Sequence, residues 1–574
     1  MVSLDITAAA RPGGRHLFLA GVCLLALFAG IGSVSMWEPD EARFAEATRQ
    51  MLARGDLLTP WFNDRPRFEK PVGLYWLQLP FVAVLGSSEL AARLPVALAG
   101  AGCVLFTYLI GRRLFGGQVA WIAALALVTC FRVITHARQG LTDIPALFFE
   151  LIAMHGFLRA HQDVSSGRAW MAGWGAIGLA ALSKGPVAAI PLGVWAVYLT
   201  VMRDWSGLRR LRIVPGVLVA AAIAAPWYVY MMAVHGQAFV DVALVSEVVS
   251  RAGGDVGPRR GLLYYFDVWP ADLLPWTPFF LLALGYFALA RARVNASERR
   301  AALFPAVWFL VVVGAFSLSS SKLPHYILPA YPAAALLVGL FIDRAGTDAA
   351  ARRFWWAGAG LVVTVLLAAS VLTWALLRRT ADTSMPLPVF VLPLLLMGGG
   401  VATVLLGWRR GPVAGSAAIA GTLASAVAYA SMFVIPHLRG LEPIPPLARS
   451  IAAIARPGDR VGQYGTFVSG GLVFYSGHRV DLLVTHDDVV RFLAAPGRAF
   501  CLVPRADVTA LNGRLPPGAL HEIAHEPRLV VRFDRLFGDR SPYEEPMVVV
   551  SNQAALPKGR AAGDATLHSP NGHK

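Results

Sequence analysis

Charge is scarce in this chain: 15% of its 574 residues are Asp, Glu, Lys or Arg, where a soluble globular protein carries about a quarter. With 56% hydrophobic residues and a mean hydropathy of +0.56, the scarcity excludes a water-soluble enzyme, intrinsic disorder and a collagen-like chain. Cysteine is nearly absent. Cys23, Cys103, Cys130 and Cys501 have no spacing that fits a disulfide framework or a zinc knuckle. No internal repeat stands out, which argues against a transporter built from duplicated halves. No small-residue cleavage site follows the first apolar run at 16–36, so that run is read as an uncleaved helix and not as a leader.

Lysine is the most informative shortage. Of the 51 basic residues, 46 are Arg and five are Lys, two of these (Lys558 and Lys574) in the polar tail. The other three are Lys70, Lys184 and Lys322, in Glu69-Lys70-Pro71, Ser183-Lys184-Gly185-Pro186 and Ser321-Lys322-Leu323-Pro324. Each stands at a Pro-marked turn between apolar runs. A compact ammonium on a flexible stem suits a phosphate, and three such placements point to a shared task.

What is abundant is apolar sequence of membrane-spanning length. The first run and those at 90–111, 118–136, 141–159, 171–182, 186–202, 213–233, 271–290, 303–319, 325–342, 354–377, 387–407 and 413–435 predict about thirteen spans in an all-α polytopic membrane protein. The excess of Lys and Arg over Asp and Glu is 51 − 35, or +16. Such a balance can mark a nucleic-acid partner, but the Arg clusters sit between apolar runs, as at Arg112-Arg113, Arg352-Arg353 and Arg409-Arg410. That is the positive-inside pattern, and no nucleic-acid partner is expected. The transmembrane domain is read as 1–435. Its first external loop, 37–89, is read as carrying surface helices at 40–54 and 74–85. In 40–54, Ala42, Ala45, Met51 and Leu52 are expected on one face and Arg43, Glu46, Arg49 and Gln50 on the other. From 436 to 553 the pattern changes to a small extracytoplasmic α/β domain. Strands are predicted at 460–463, 471–475, 480–484, 499–503, 529–533 and 547–550, helices at 446–455 and 487–495, and a disordered tail at 554–574.

With the basic N-terminus inside, Asp40, Glu41, Glu69, Lys70, Arg138, Asp143, Lys184, Arg251, Lys322 and His325 all fall on the outer side. Asp143 stands in apolar surroundings, Leu141-Thr142-Asp143-Ile144-Pro145. A charge in hydrocarbon costs about 2.5–3.5 kcal/mol, so Asp143 should face a polar cavity and be paired, with Arg138 the nearest candidate. Asp40 and Asp143 also suit plain helix starts.

The residues resemble a family. Trp37-Glu38-Pro39-Asp40-Glu41-Ala42-Arg43, Arg54-Gly55-Asp56 and Phe68-Glu69-Lys70-Pro71 look like the first external loop of bacterial 4-amino-4-deoxy-L-arabinose (lipid A) transferases. These are C-type glycosyltransferases related to protein O-mannosyltransferases. The resemblance continues through Ala137-Arg138-x-x-Leu141-Thr142-Asp143, Ser183-Lys184-Gly185-Pro186, Ser321-Lys322-Leu323-Pro324-His325-Tyr326-x-Leu328-Pro329 and Tyr475-x-Gly477-x-Arg479. It implies a bacterial inner-membrane enzyme that moves a sugar from an undecaprenyl phosphate carrier to lipid A or another periplasmic-face glycan or protein acceptor. Asp40 and Asp143 would be catalytic or acceptor-orienting. Glu41, Arg43, Lys70, Arg138, Lys184, Arg251, Lys322, His325 and Tyr326 would hold the substrates and the carrier phosphate. The family also pairs the Glu matching Glu69 with a His as ligands of a divalent metal, but here Val248 follows Glu247. The alternatives are an O-mannosyl-type enzyme acting on protein and, without catalysis, a transporter or flippase of lipid-linked sugar.

Overall fold

Apolar runs fold here as helices that stop where glycine, proline or a charged pair interrupts them. The computed structural model describes residues 12–163, 168–250, 257–289, 296–380, 387–438, 440–531, 541 and 543–554. The chain divides into two units: Met1–Leu438 with Val531–Pro542, and Arg439–Val530 with Tyr543–Lys574.

In the first unit the order is α1 (Pro12–Cys23), α2 (Asp40–Arg54), a two-stranded ribbon of β1 (Trp61–Phe62) and β2 (Arg65–Pro66), α3 (Gly73–Leu85), α4 (Glu89–Phe115), α5 (Gly117–Val128), α6 (Phe131–Ala137), α7 (Asp143–Gln162), α8 (Ala169–Lys184), α9 (Ile190–Met202), α10 (Trp205–Arg210) and α11 (Ile213–Val240). Further helices follow to Tyr429. Eight segments are long and apolar enough to cross a bilayer: Glu89–Phe115, Ala169–Met202, Ile213–Ser250, Glu298–Leu318, Pro324–Thr347, Ala349–Thr380, Val391–Arg410 and Pro412–His437. The pair α5 and α6, bent by 64°, makes a ninth if taken as one span. The chain is thus a multi-pass membrane protein, with eight or nine such segments among the described residues against the thirteen expected. Part of the difference is that Ala169–Met202 holds the two spans expected at 171–182 and 186–202, and the rest has physical sources. The apolar helix at Gly13–Phe28 and that at Thr277–Phe287 are short. Helix α7 has the length, but Glu150, Arg159 and three further polar residues, His155, His161 and Gln162, dilute its apolar character.

Two of the long segments double back. In Ala169–Met202, Lys184 meets Asp143 at the start of α7, whereas Trp195 and Tyr198 of α9 pack on His161 near its end, with ring centroids 5.5 and 6.5 Å apart. The reversal is at Gly185, whose φ of 66° and ψ of −132° only glycine adopts readily. In Ile213–Ser250 the break is Gly236, φ 55° and ψ −134°. Beyond it Phe239 returns onto Trp227, 5.7 Å away, and Glu247 is carried back to the Lys70 loop.

The helices expected at 40–54 and 74–85 match α2 and α3 closely in extent, but the faces of α2 differ from expectation. Glu46 is fully buried and Leu52 is 40% exposed, because Arg49 and Gln50 satisfy the Glu46 carboxylate from within the same helix at 2.6–2.7 Å. Helix α2 is tied to α3 and α4 through Thr48, which donates to Gln78 Oε1 at 2.6 Å; Gln78 in turn donates to the Ala92 carbonyl at 2.9 Å. Helix α3 begins hard against α8: a Cβ on Gly73 would lie 2.7 Å from the Leu182 carbonyl oxygen. Gly73→Ala is therefore expected to cost about 1–3 kcal/mol through overpacking, read as a lower melting temperature in detergent. An unchanged melt would mean that the two segments separate freely.

The second unit holds a five-stranded sheet in the order β4-β3-β5-β7-β6, built from β3 (Arg460–Tyr464), β4 (Val480–Leu483), β5 (Ala499–Pro504), β6 (His521–Leu529) and β7 (Tyr543–Ser551). Strand β3 runs parallel to β4 and β5, and β7 runs antiparallel to β5 and β6. Phe492, Cys501, Val503, Val548 and Val550 lie in its core. The helices Ile444–Ala452 and His486–Ala494 fall where expected. Two strand expectations are corrected. The run 471–475 lies in a helix, Gly470–Ser476, because Ser469 caps its start by accepting from Leu472 N–H and Gly477 ends it. The strand expected from 529 instead ends there, as β6. The expected disordered tail lies, apart from Ala554, outside the described residues.

Candidate functional site

Helix ends, not helix middles, build the site. Close packing of α7 on α8, where a Cβ on Gly156 would lie 2.8 Å from Gly173 N, brings the first residue of α7 level with the last of α8. Lys184 Nζ then donates to Asp143 Oδ1 at 2.6 Å, with 13% and 7% of the side chains exposed. This is the pairing that Asp143 requires, but the partner is Lys184 and not Arg138. Arg138 sends its fork elsewhere, to the Ala26 and Ala29 carbonyls at 2.9 and 2.7 Å and to Ser431 Oγ at 2.8 Å.

Asp143 and Lys184 line a cavity of about 630 Å³ together with Asp40, Arg43, Arg67, Glu69, Lys70, Glu247, His325 and Tyr326. Residues from six separate stretches of the chain converge there. Lys70 is positioned by its loop, since Phe68 packs on His235 and Phe239 with centroids 5.0 and 5.6 Å apart. The Lys70 ammonium is paired with Glu247. Lys184 Nζ also lies 5.5 Å from the centre of the Tyr326 ring, and His325 Nε2 is 3.8 Å from Asp143 Oδ1.

Besides Arg138, two of the anticipated residues stand apart from this group. Glu41 is 1% exposed and forms a two-point pair with Arg93, at 2.6 and 2.8 Å. It also accepts from the backbone N–H of Trp37 and of Gly140, each at 2.8 Å. Lys322 is buried at 2% exposure; its ammonium donates to the Ser319 carbonyl and, at 3.1 Å, to that of Arg260. It borders a separate cavity with Arg259 and Arg260. Arg251 lies outside the described residues.

Sequence reasoning missed three contributors. Glu247 is marked in the sequence only by its place before Val248, and nothing there links it to Lys70 across the reversal at Gly236. Arg67 has no motif to mark it, yet it is 7% exposed, sits 4.4 Å over the Phe44 ring and donates to Glu69 Oε2 at 3.3 Å. Burial opposes its charge, while Tyr75, Glu69 and Asp40 favour it, and the net displacement of its pKa is upward. The neighbouring Tyr75 phenol is pushed up to about 12, chiefly by burial. His136, 6% exposed, lies with its ring centroid 5.4 Å from that of His325. Its place just before the Ala137-Arg138 motif was the available signal.

The metal arrangement that the resemblance implies does not fit these residues. Glu69 points a carboxylate oxygen at Arg67, and the position that should hold the second ligand is Val248, which has no ligand atom. What the cavity offers chemically is an array of cations and carboxylates, suited to an anionic group leaving or arriving.

Comparison with known proteins accords with this geometry. The model of the dolichyl-phosphate-mannose-protein mannosyltransferase family matches residues 69–230. An undecaprenyl phosphate-alpha-4-amino-4-deoxy-L-arabinose arabinosyl transferase of Pseudomonas aeruginosa (strain LESB58) is 32% identical over 392 residues, covering 65% of this chain and 68% of the relative. An uncharacterized protein of Aquifex aeolicus is 31% identical over 324 residues, and the match spans 62% of that protein's length. The crystal structure of ArnT from Cupriavidus metallidurans in the apo state superposes with a TM-score of 0.77 at 25% identity, covering 95% of this chain and 99% of the other. The same protein bound to undecaprenyl phosphate gives a TM-score of 0.78 at 24% identity, with 96% and 100% covered.

Proposed function

We propose a reaction from one premise: the chain belongs to the undecaprenyl phosphate-alpha-4-amino-4-deoxy-L-arabinose arabinosyl transferase family. It takes a sugar of the 4-amino-4-deoxy-L-arabinose class from an undecaprenyl phosphate carrier at the periplasmic face of the inner membrane and transfers it to a lipid A phosphate. The observation that carries the reading is the cavity in which Lys70, Lys184, Arg43 and Arg67 meet Asp40 and Asp143. A glycosyl phosphate attacked at the anomeric carbon loses its phosphate as a stable anion, so the leaving group needs no general acid, unlike the alkoxide of glycoside hydrolysis. The acceptor oxygen forms its bond to that carbon as the carbon–oxygen bond to the carrier phosphate breaks, with inversion. Lys70, released from Glu247, and Tyr326 hold the departing phosphate; Asp40 and Asp143 orient the sugar and the acceptor. The isoprenoid tail, at about 0.8 kcal/mol per buried CH₂, keeps the carrier at the interface where the cavity lies.

The decisive test is transfer by the purified chain from undecaprenyl phosphate-linked aminoarabinose to lipid A, read by mass spectrometry as an added aminopentose. No added mass under conditions where a known family member works would overturn the reading. A hydroxyl acceptor on protein, the alternative favoured by the match at residues 69–230, would instead glycosylate a Ser- and Thr-bearing peptide. Lys70→Ala is expected to raise KM for the carrier by about 10-fold or more, since a hydrogen bond to a charged group is worth roughly 1.5–3 kcal/mol. An unchanged KM would remove Lys70 from the phosphate.

A further inference from the structure

His136, Asp143 and His325 meet at one edge of the cavity, which Asp143 and His325 line, and neither histidine has a part in the reaction just described. His136 from α6, Asp143 from α7 and His325 from the turn Pro324–Ala330 each place one ligand atom so that all three lie within 4.8 Å of one another. Two imidazoles and one carboxylate are the donor set of open catalytic zinc sites, and since ligand atoms on bonds of about 2.0–2.2 Å stand about 3.3–3.6 Å apart in a tetrahedral site, the three donors would need to draw together by at most about 1.5 Å. Lys184 Nζ and His325 Nε2 approach Asp143 at the same oxygen, Oδ1, at 2.6 and 3.8 Å. Lys184 can therefore steady the carboxylate through Oδ1 while Oδ2 is offered to an ion, the outer-shell support that metal-binding carboxylates ordinarily receive. The three residues come from separate elements, and His136 and Asp143 are buried, so the cluster is built by the fold and is not a chance grouping on one exposed helix face.

We propose that His136, Asp143 and His325 form a binding site for a borderline divalent cation of the zinc class, at one edge of the transfer cavity and in place of the Glu69-centred arrangement that this chain cannot complete. With three protein ligands the ion keeps at least one coordination position. Since Asp143 and His325 line the cavity, that position faces the space where the carrier phosphate arrives in the proposed reaction. The role toward phosphate rests on the transferase reading; the binding itself does not.

The test is zinc titration of the full chain in detergent, stripped with a chelator and followed by competition with a chromophoric zinc indicator. The wild type should bind one equivalent of zinc. His136→Ala and His325→Ala should each weaken binding 10-fold or more, and Glu69→Ala should leave it unchanged. Should His136→Ala fail to elute as folded protein, His325→Gln and the visible spectrum of the cobalt-loaded wild type replace it, the expected spectrum being that of tetrahedral or five-coordinate cobalt with nitrogen ligands. Absence of saturable zinc binding, or its loss through Glu69→Ala with both histidine variants intact, would overturn the site. Because the titration requires no sugar transfer, a failure of the metal site and a failure of the transferase reading give separate results.

Discussion

Asp40→Asn should abolish transfer, lowering the rate by about 100-fold or more, while leaving the folded protein nearly as stable as before. Asp40 is exposed, at the first position of α2, and its charge reaches Arg43 and Arg67 across the cavity. Folding gains only its interaction with the start of the helix, about 0.3–1 kcal/mol at such a position. Catalysis loses more. A phosphate acceptor arrives already ionised and needs little help from a base, so the carboxylate acts by fixing geometry, and an error of about 1 Å in placement can cost 100-fold. For a hydroxyl acceptor the same carboxylate would serve as general base, a contribution of about 10²–10⁴. The measurement is a paired one: transfer rate by mass spectrometry and melting temperature in the same detergent. Full activity in the variant would remove Asp40 from the site, and a large drop in melting temperature would reassign it to structure.

Arg93→Ala should have the opposite profile, a collapse of stability felt everywhere. Arg93 is 2% exposed and gives its guanidinium to both oxygens of Glu41 and to the carbonyls of Ile31, Val34 and Ser35, at 2.6–3.0 Å. It thereby joins α4 to the segment that leads into α2. Removing one member of a buried pair costs about 3–5 kcal/mol, because the remaining charge is stranded. The expected readout is loss of the monodisperse detergent-solubilised protein or a strongly lowered melting temperature. The double variant Arg93→Met with Glu41→Gln should recover part of the loss, since no charge is then left behind. A single variant that melts like the wild type would show that Glu41 finds another cation.

Glu41 shows where reading by adjacency stops. It follows Asp40 directly in the motif, and both are expected in the site. On a helix, successive side chains diverge by about 100°, so Asp40 faces the cavity while Glu41 turns inward to Arg93. Lys322 makes the same point from the three Pro-marked lysines. Lys70 and Lys184 reach the cavity, whereas Lys322 is absorbed by backbone carbonyls at its own turn. Of the residues that the motifs mark, Asp40, Arg43, Glu69, Lys70, Asp143, Lys184, His325 and Tyr326 line the cavity; Asp143 was legible from physics alone, because charge in apolar surroundings is costly enough to demand a reason. Glu247 is hidden because it reaches the site through the reversal at Gly236, which no local pattern encodes, whereas Arg67 and His136 directly precede the motifs at Phe68 and Ala137 and have no other mark in the sequence. The membrane class was legible from composition alone. The number of spans was not, since α5 and α6 bend at their junction, the apolar helices Gly13–Phe28 and Thr277–Phe287 stop short, and the run after Ile213 turns back at Gly236.

The two lysines of the cavity are already engaged, Lys184 with Asp143 and Lys70 with Glu247, and this bears on selectivity. Any anion that enters must displace a carboxylate that lies within bonding reach, so its net gain is the difference between two similar attractions. Chloride or free inorganic phosphate, which bring nothing else, compete poorly for such a seat. A phosphate tethered to a long hydrocarbon tail brings the free energy of lipid partitioning as well and can complete the exchange. In the proposed reaction, internal pairing would serve as a filter, closing the cavity to small ions from the water while leaving it open to a ligand delivered by the bilayer.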